Sequence, residues 1–142
     1  KLFIHLKVFV KPQKENFLLQ MTLNFNKFRL DGVYIPSFNK KINFASTFCY
    51  PANFKIIGSA HNIKEIKIKK LQKCSEIFIS PIFKTKKSTK FLDILKFNNL
   101  TLAQKSKYIA LGGINKKNFK RLRLTKISGF AGISGIKKTA KI

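Results

Sequence analysis

Acidic residues are scarce in this chain. Its 142 residues hold 5 Asp and Glu against 30 Lys and Arg, a formal net charge of +25. Paired carboxylates for glycoside chemistry and a Ser-His-Asp triad both draw on acids at a site, and Glu15, Asp31, Glu65, Glu76 and Asp93 do not supply them. A Mg²⁺ site uses one or two carboxylates beside substrate phosphates, so the supply is thin there too. Asp31 and Glu76 stand at the start of strand-like runs and Glu65 in a first helical turn, which leaves Asp93 as the acid nearest to strand C-termini. Cysteine is scarcer still, with two residues. Cys49 and Cys74 lie far apart, with no Cys-x-x-Cys spacing and no paired histidine, which excludes a zinc site and a disulfide framework. They read as ordinary thiols of a reducing compartment. No apolar run reaches the roughly 18 residues of a membrane span, and Lys1 to Val10 lacks the apolar stretch of a signal peptide. A soluble, cytoplasmic protein with no membrane partner is expected. Arginine is confined to Arg29, Arg121 and Arg123, whereas base readout and bidentate phosphate contacts favour it. The lysines are spread along the whole chain, and Lys, Ile, Asn and Phe all have A/T-rich codons. The positive charge therefore reads as a solvated lysine surface, and nucleic acid is not an expected partner.

What the chain does have is short apolar runs that stop at glycines. Tyr108-Ile109-Ala110-Leu111-Gly112-Gly113-Ile114 is echoed by Gly129-Phe130-Ala131-Gly132-Ile133-Ser134-Gly135. A buried parallel strand reads as a continuous hydrophobic run, and glycines at its C-terminal end let backbone N–H groups approach an oxyanion. Six runs fit this pattern: Phe17 to Leu19, Gly32 to Ile35, Lys55 to Ser59, Glu76 to Ser80, Tyr108 to Leu111 and Gly129 to Ile133. Helical spacing lies between several of them. Ile63, Ile66 and Leu71 fall on one face of a lysine-rich helix, with Asn62 as N-cap and Glu65 placed for a capping box. Asn115 opens a second helical unit over Phe119 and Leu122, and Pro12 limits an opening helix over Leu2 to Val10. Phe38 to Asn53 has no clean period and reads as an irregular connection. Strands alternating with helices mean a parallel sheet and an α/β domain, with ligands at the C-terminal strand ends.

Those ends carry the candidate chemistry. His61 follows the third run and serves either as a proton carrier and phosphate donor or as a structural histidine of a strand-to-helix turn. Lys84-Thr85-Lys86-Lys87-Ser88 follows the fourth and puts cations and hydroxyls at the rim, a combination that suits a phosphate or diphosphate, although a charge run is also simply a solvated one. Gly112-Gly113 is neither a P-loop nor a G-x-G-x-x-G fingerprint, and alone it reads equally as a tight turn or a ligand loop.

The order of the motifs is more specific than any one of them. Asp31-Gly32-Val33-Tyr34-Ile35, Ile57-Gly58-Ser59-Ala60-His61-Asn62 with Glu65, Ser80-Pro81-Ile82-Phe83-Lys84-Thr85-Lys86, Ala110-Leu111-Gly112-Gly113-Ile114 and Gly129 to Ser134 together resemble the thiamine-phosphate synthase and thiazole tautomerase superfamily. The resemblance implies a (β/α)8 TIM-barrel type of fold, with the six runs as the third to eighth strands and about six of eight strands present. The chain is thus expected to be a single domain over residues 1–142, incomplete at its N-terminus, with open sheet edges through which it could self-associate. For the synthase branch it implies joining hydroxymethylpyrimidine diphosphate to thiazole phosphate, with Mg²⁺. Gly112, Gly113, Ile133 and Ser134 match the phosphate cup, Ser59 a strand-end serine and Thr85 a diphosphate-contacting threonine, with Lys86 and Lys87 beside it. The family lysine three residues on falls at Ser88. His61 matches a histidine of both branches. The family's metal carboxylates fall near Leu19-Gln20-Met21 and at Asn39, so they are lost. A metal-free tautomerase-like reaction with His61 as proton carrier, and a non-catalytic phosphate-ligand binder, are the alternatives.

Overall fold

The computed structural model describes residues 8–9, 32–42, 52–86, 88–102 and 106–131. Six strands, β1 (Val8–Phe9), β2 (Gly32–Ile35), β3 (Lys55–Ala60), β4 (Glu76–Ile79), β5 (Lys107–Leu111) and β6 (Gly129–Ala131), form one sheet in sequence order. Every neighbouring pair is parallel. Parallel neighbours need a crossover, and helix α1 (Ile63–Leu71) connects β3 to β4, α2 (Asp93–Leu102) connects β4 to β5, and the 3-10 helix Phe119–Leu124 connects β5 to β6. The expected runs from Gly32 onward are therefore strands. Val8 and Phe9 pair with Gly32 and Val33 as a strand, although an opening helix over Leu2 to Val10 was expected; two residues of high β propensity here find their backbone partners on β2. The expected strand Phe17 to Leu19 lies outside the described residues, as do Glu15 and Asp31.

The pleat gives the sheet two different faces. Register pairs Val33 with Ile56, Gly58 with Ile77, Ala60 with Ile79, Ile77 with Tyr108 and Ile79 with Ala110, so these share one face. Ala60, Ile77, Ile79, Tyr108 and Ala110 pack with Ile66 of α1, Ile94 and Phe97 of α2, and Ile82, Phe83, Ile114 and Leu122, while Val33 and Ile56 form a second cluster with Ile35. Ile66, Ile77, Ile79 and Phe97 are wholly buried in the first and Val33 in the second. The opposite face carries Tyr34, Ile57, Ser59, Glu76, Phe78 and Ile109, with the Tyr34 and Phe78 rings edge to face at 6.4 Å. Glu76, at the N-terminal end of β4, has Lys55 Nζ at 4.0 Å.

Helix α1 starts as its sequence predicts and packs as it does not. The Asn62 side chain accepts from Glu65 N at 3.0 Å, and Glu65 answers by accepting from the His61 N–H and the Asn62 amide, both at 2.7 Å. Ile63 and Leu71, expected on the buried face, are exposed, and the buried pair is Ile66 with Lys69. Lys69 Nζ donates to Pro36 O at 2.7 Å, Asn39 O at 2.8 Å and Gln72 Oε1 at 2.8 Å. Gly58 makes room for its stem, because a Cβ there would sit 2.7 Å from Lys69 Cδ and 2.8 Å from Cys74 Sγ. Burial lowers the Lys69 pKa to about 8, against smaller opposing effects of Cys74 and Glu65. The same burial pushes the Cys74 thiol up to about 12.

Two outcomes follow. Asn62→Ala should lose about 1 kcal/mol of stability in urea melts by uncapping α1. Between about pH 8 and 10.5 an unfolded chain holds the Lys69 proton that the folded chain has released, so stability from this group rises with pH in that window. The stability of the wild-type chain relative to Lys69→Met should therefore grow between pH 7.5 and pH 9; a flat or shrinking difference would contradict this assignment.

Candidate functional site

The C-terminal ends of β3, β4 and β5 bring together most of the candidate residues, and the contact between the last two is the tightest. After β4 the chain passes through the cis peptide Ser80-Pro81 and runs alongside the exit of β5, where Ile82 N donates to Leu111 O at 3.0 Å and Phe83 N to Gly112 O at 3.1 Å. Gly112 and Gly113 both have positive φ, +92° and +73°. A Cβ on Gly113 would lie 2.4 Å from Phe83 O and 2.5 Å from Lys84 O, so the second glycine is required by backbone packing as well as by its conformation. A Cβ on Gly112 would meet Pro81, with the Thr85 methyl 3.8 Å away. Thr85 is thus a neighbour of the glycine turn.

Local hydrogen bonds hold both halves in place. Ser88 N donates to Thr85 Oγ1 at 3.0 Å and Thr85 N to Ser88 O at 3.1 Å, closing a turn that leaves Lys84 and Lys86 exposed. On the other half Asn118 donates its amide to Gly113 O at 2.8 Å and accepts from Asn115 N at 2.8 Å. Asn115 had been read only as a helix start, and the Asn-x-x-Asn pair after the glycines is the signal that marks this brace. Arg121 stacks over the Phe83 ring at 5.3 Å and pairs with Asp93 at 2.9 Å. Asp93, at the start of α2 with φ +53°, also accepts from Ile94 N.

Ser59 and His61 leave β3 in different directions. Ser59 is buried on the face opposite the helices, paired in register with Phe78. His61 is exposed and its Nδ1 lies 2.6 Å from Ser80 O. A carbonyl only accepts, so Nδ1 donates here and Nε2 is the ring nitrogen left to face the cleft. The ring borders an open cleft of about 390 Å³ whose other walls include Ile63, Leu92, Lys96 and Leu100, on the helix side of the sheet rather than at the glycine turn. Lys87, Ile133 and Ser134 lie outside the described residues.

The donors for a divalent cation do not assemble. Among the described residues no three His, Cys, Asp or Glu side chains come together. Glu65 is engaged with His61 N and Asn62, Asp93 with Arg121, and Asn39 turns its Oδ1 to Lys41 N at 3.0 Å. These residues do not fit Mg²⁺, and the stretch Leu19 to Met21 lies outside the described residues.

The family model for thiamine monophosphate synthase matches residues 25–136. The chain belongs to the thiamine monophosphate synthase family. A thiamine-phosphate synthase of Prochlorococcus marinus is 35% identical over 109 residues, which cover 75% of this chain and 31% of that protein. Thiamine phosphate pyrophosphorylase from Pyrococcus furiosus superposes with a TM-score of 0.61 at 19% identity, over 77% of this chain and 52% of that one. A native KDPGal structure superposes with a TM-score of 0.64 at 12% identity, over 95% of this chain and 59% of that one. The thiamine monophosphate synthase fold seen here is accordingly the (β/α)8-barrel type, with six parallel strands in one sheet among the described residues. The chain spans about a third of the Prochlorococcus protein and about half of the Pyrococcus chain.

Among the described residues no helix is long and apolar enough to cross a membrane. Gly113→Ala, which puts a Cβ into both a left-handed backbone and the Phe83 carbonyl, should cost at least about 2 kcal/mol in chemical denaturation.

Proposed function

We propose that this chain holds a phosphorylated small molecule at the C-terminal edge of its sheet, between the Gly112-Gly113 turn and the Thr85–Ser88 turn. In the whole protein this is the thiazole-phosphate end of thiamine-phosphate synthesis, in which hydroxymethylpyrimidine diphosphate is joined to thiazole phosphate and diphosphate leaves. The observation that carries the reading is the seating of the loop after β4 on the glycine turn, with Thr85 beside Gly112 and Lys86 exposed at the same edge. Family membership supplies the substrate class.

Each residue then has a role. Gly112 and Gly113 offer backbone N–H groups without side chains in the way, and Thr85 offers a hydroxyl. Lys86 supplies charge to phosphate or diphosphate oxygens, and the roles expected of Lys87, Ile133 and Ser134 fall outside the described residues. Ser59 lines the inner face of the sheet beneath this edge. Mg²⁺, where a synthase uses it, offsets charge on a departing diphosphate. The described residues supply no carboxylates for it, and binding and orientation are what this part of the chain contributes.

The His61 hydrogen bond favours a second reading. With Nδ1–H held by Ser80 O, Nε2 is free to take a proton, as a metal-free, tautomerase-like reaction on a thiazole phosphate requires. A non-catalytic binder of the same ligand shares the cup and lacks only the proton transfer.

Calorimetric titration with thiazole phosphate tests the site. Lys86→Glu should weaken binding about tenfold or more without changing the melting temperature, because the side chain is exposed and its partner is the ligand. Lys64→Glu, on the exposed side of α1, should leave affinity within about twofold. Equal loss in both variants, or no binding by the wild-type chain, would overturn the reading.

A further inference from the structure

One group of five side-chain hydrogen bonds on the helix side of the sheet belongs to no site residue. Lys69 and Gln72, one turn apart at the end of α1, are both wholly buried, and the side-chain hydrogen bonds they make, other than the one to each other, go to the loop that follows β2. Lys69 Nζ donates to Pro36 O and Asn39 O, and to Gln72 Oε1; Gln72 Nε2 donates to Asn39 O at 3.0 Å and Lys41 O at 2.9 Å. The three lysine protons and both amide protons are therefore used, and the Asn39 carbonyl takes two of them. Residues 36–41 have no strand or helix of their own, and within the loop Asn39 N donates to Pro36 O and Lys41 N to Asn39 Oδ1. Gly58 completes the arrangement by leaving β3 bare where the lysine stem crosses it.

That loop leaves the C-terminal end of β2, beside the β3 end that carries Ser59 and His61. Helix α1 begins at His61 through the Asn62 and Glu65 cap and ends at the Lys69 and Gln72 contacts, so one short helix ties two neighbouring strand ends together. A buried ammonium is costly to desolvate and contributes little net stability even when fully hydrogen-bonded, so its effect is conformational: with three carbonyl-type acceptors around it, the loop has one favourable position.

We propose that Lys69, with Gln72, is a positioning residue for the ligand site, fixing the loop Pro36 to Lys41 at the sheet's C-terminal edge so that the edge is preformed for a phosphorylated ligand. The part concerning the ligand rests on the reading given above; the fixing of the loop does not. Lys69→Met keeps the stem and removes the donor, leaving Pro36 O, Asn39 O and Gln72 Oε1 without it. Hydrogen exchange at pH 7.5 should show the amides of residues 37–41 exchanging about tenfold or more faster, with those of β3 and β4 within about threefold of wild type. Affinity for thiazole phosphate should fall at least about fivefold. Gln72→Met, which removes the two amide bonds to the loop and the bond from Lys69 but no charge, should move both readouts the same way by less, and it carries the test where Lys69→Met does not fold. Unchanged loop exchange overturns the fixing of the loop. Faster loop exchange with unchanged affinity overturns the positioning role alone. A wild-type chain that does not bind thiazole phosphate overturns the functional reading and the positioning role together, while its loop exchange still judges the contacts of Lys69.

Discussion

The site rests on one close approach. The backbone of Phe83 and Lys84 lies against Gly113 nearer than any side chain would permit, and two hydrogen bonds, from Ile82 N to Leu111 O and from Phe83 N to Gly112 O, extend the β4–β5 pairing past the ends of the strands. Everything at that edge follows from this contact. It brings Thr85 beside Gly112, turns Phe83 into the core under Arg121, and leaves Lys84 and Lys86 facing outward. The glycines are therefore needed twice, once for the packing of a neighbouring loop and once for the access a phosphate would use. Packing accounts for Gly113 whether or not a ligand binds, which is why the ligand itself has to be tested through Lys86 rather than through the glycine.

Scarcity of acids shapes the rest. Of the three described carboxylates, Glu65 caps α1, Asp93 holds Arg121 and Glu76 is buried at the opposite end of the sheet near Lys55. Each is committed to structure, so the rim is left cationic without a counter-charge of its own. A cationic rim with open backbone donors is a place for an anion. The same scarcity leaves the buried Lys69 with no carboxylate partner in contact, and it uses carbonyl oxygens instead, which holds a loop rather than an ion pair.

How much of this was readable beforehand depends on which physical signal each element carries. Gly32 to Ile35, Ile77 to Ile79 and Tyr108 to Leu111 are short buried runs in a parallel sheet, and their continuous hydrophobicity states as much. The Asn62–Glu65 cap is local in sequence and was legible for that reason. The packing of α1 was not. Ile63, Ile66 and Leu71 suggested the buried face, yet a lysine took the central place because Gly58 leaves room on β3 for its stem, which only the packing of α1 on β3 reveals. Helix α2 was overlooked since its exposed Leu95 and Leu102 blur the spacing of Ile94, Phe97 and Thr101. The candidate site was legible in its parts, Gly112, Gly113, Thr85 and Lys86, while the brace from Asn118 and the pairing of Asp93 with Arg121 depend on contacts between distant segments. His61 stood at the right strand end, and only the Ser80 carbonyl shows which nitrogen it presents.

The central claim is that the anion-binding place is the edge formed by the β4 and β5 exits. Amide chemical-shift mapping during titration with thiazole phosphate tests it most directly. The account predicts the largest shifts at Gly112, Gly113 and Ile114 and at Thr85 and Lys86, saturating together. Shifts confined to the lysines of α1 or to the cleft between His61 and Leu100, with the glycine turn unmoved, would contradict it.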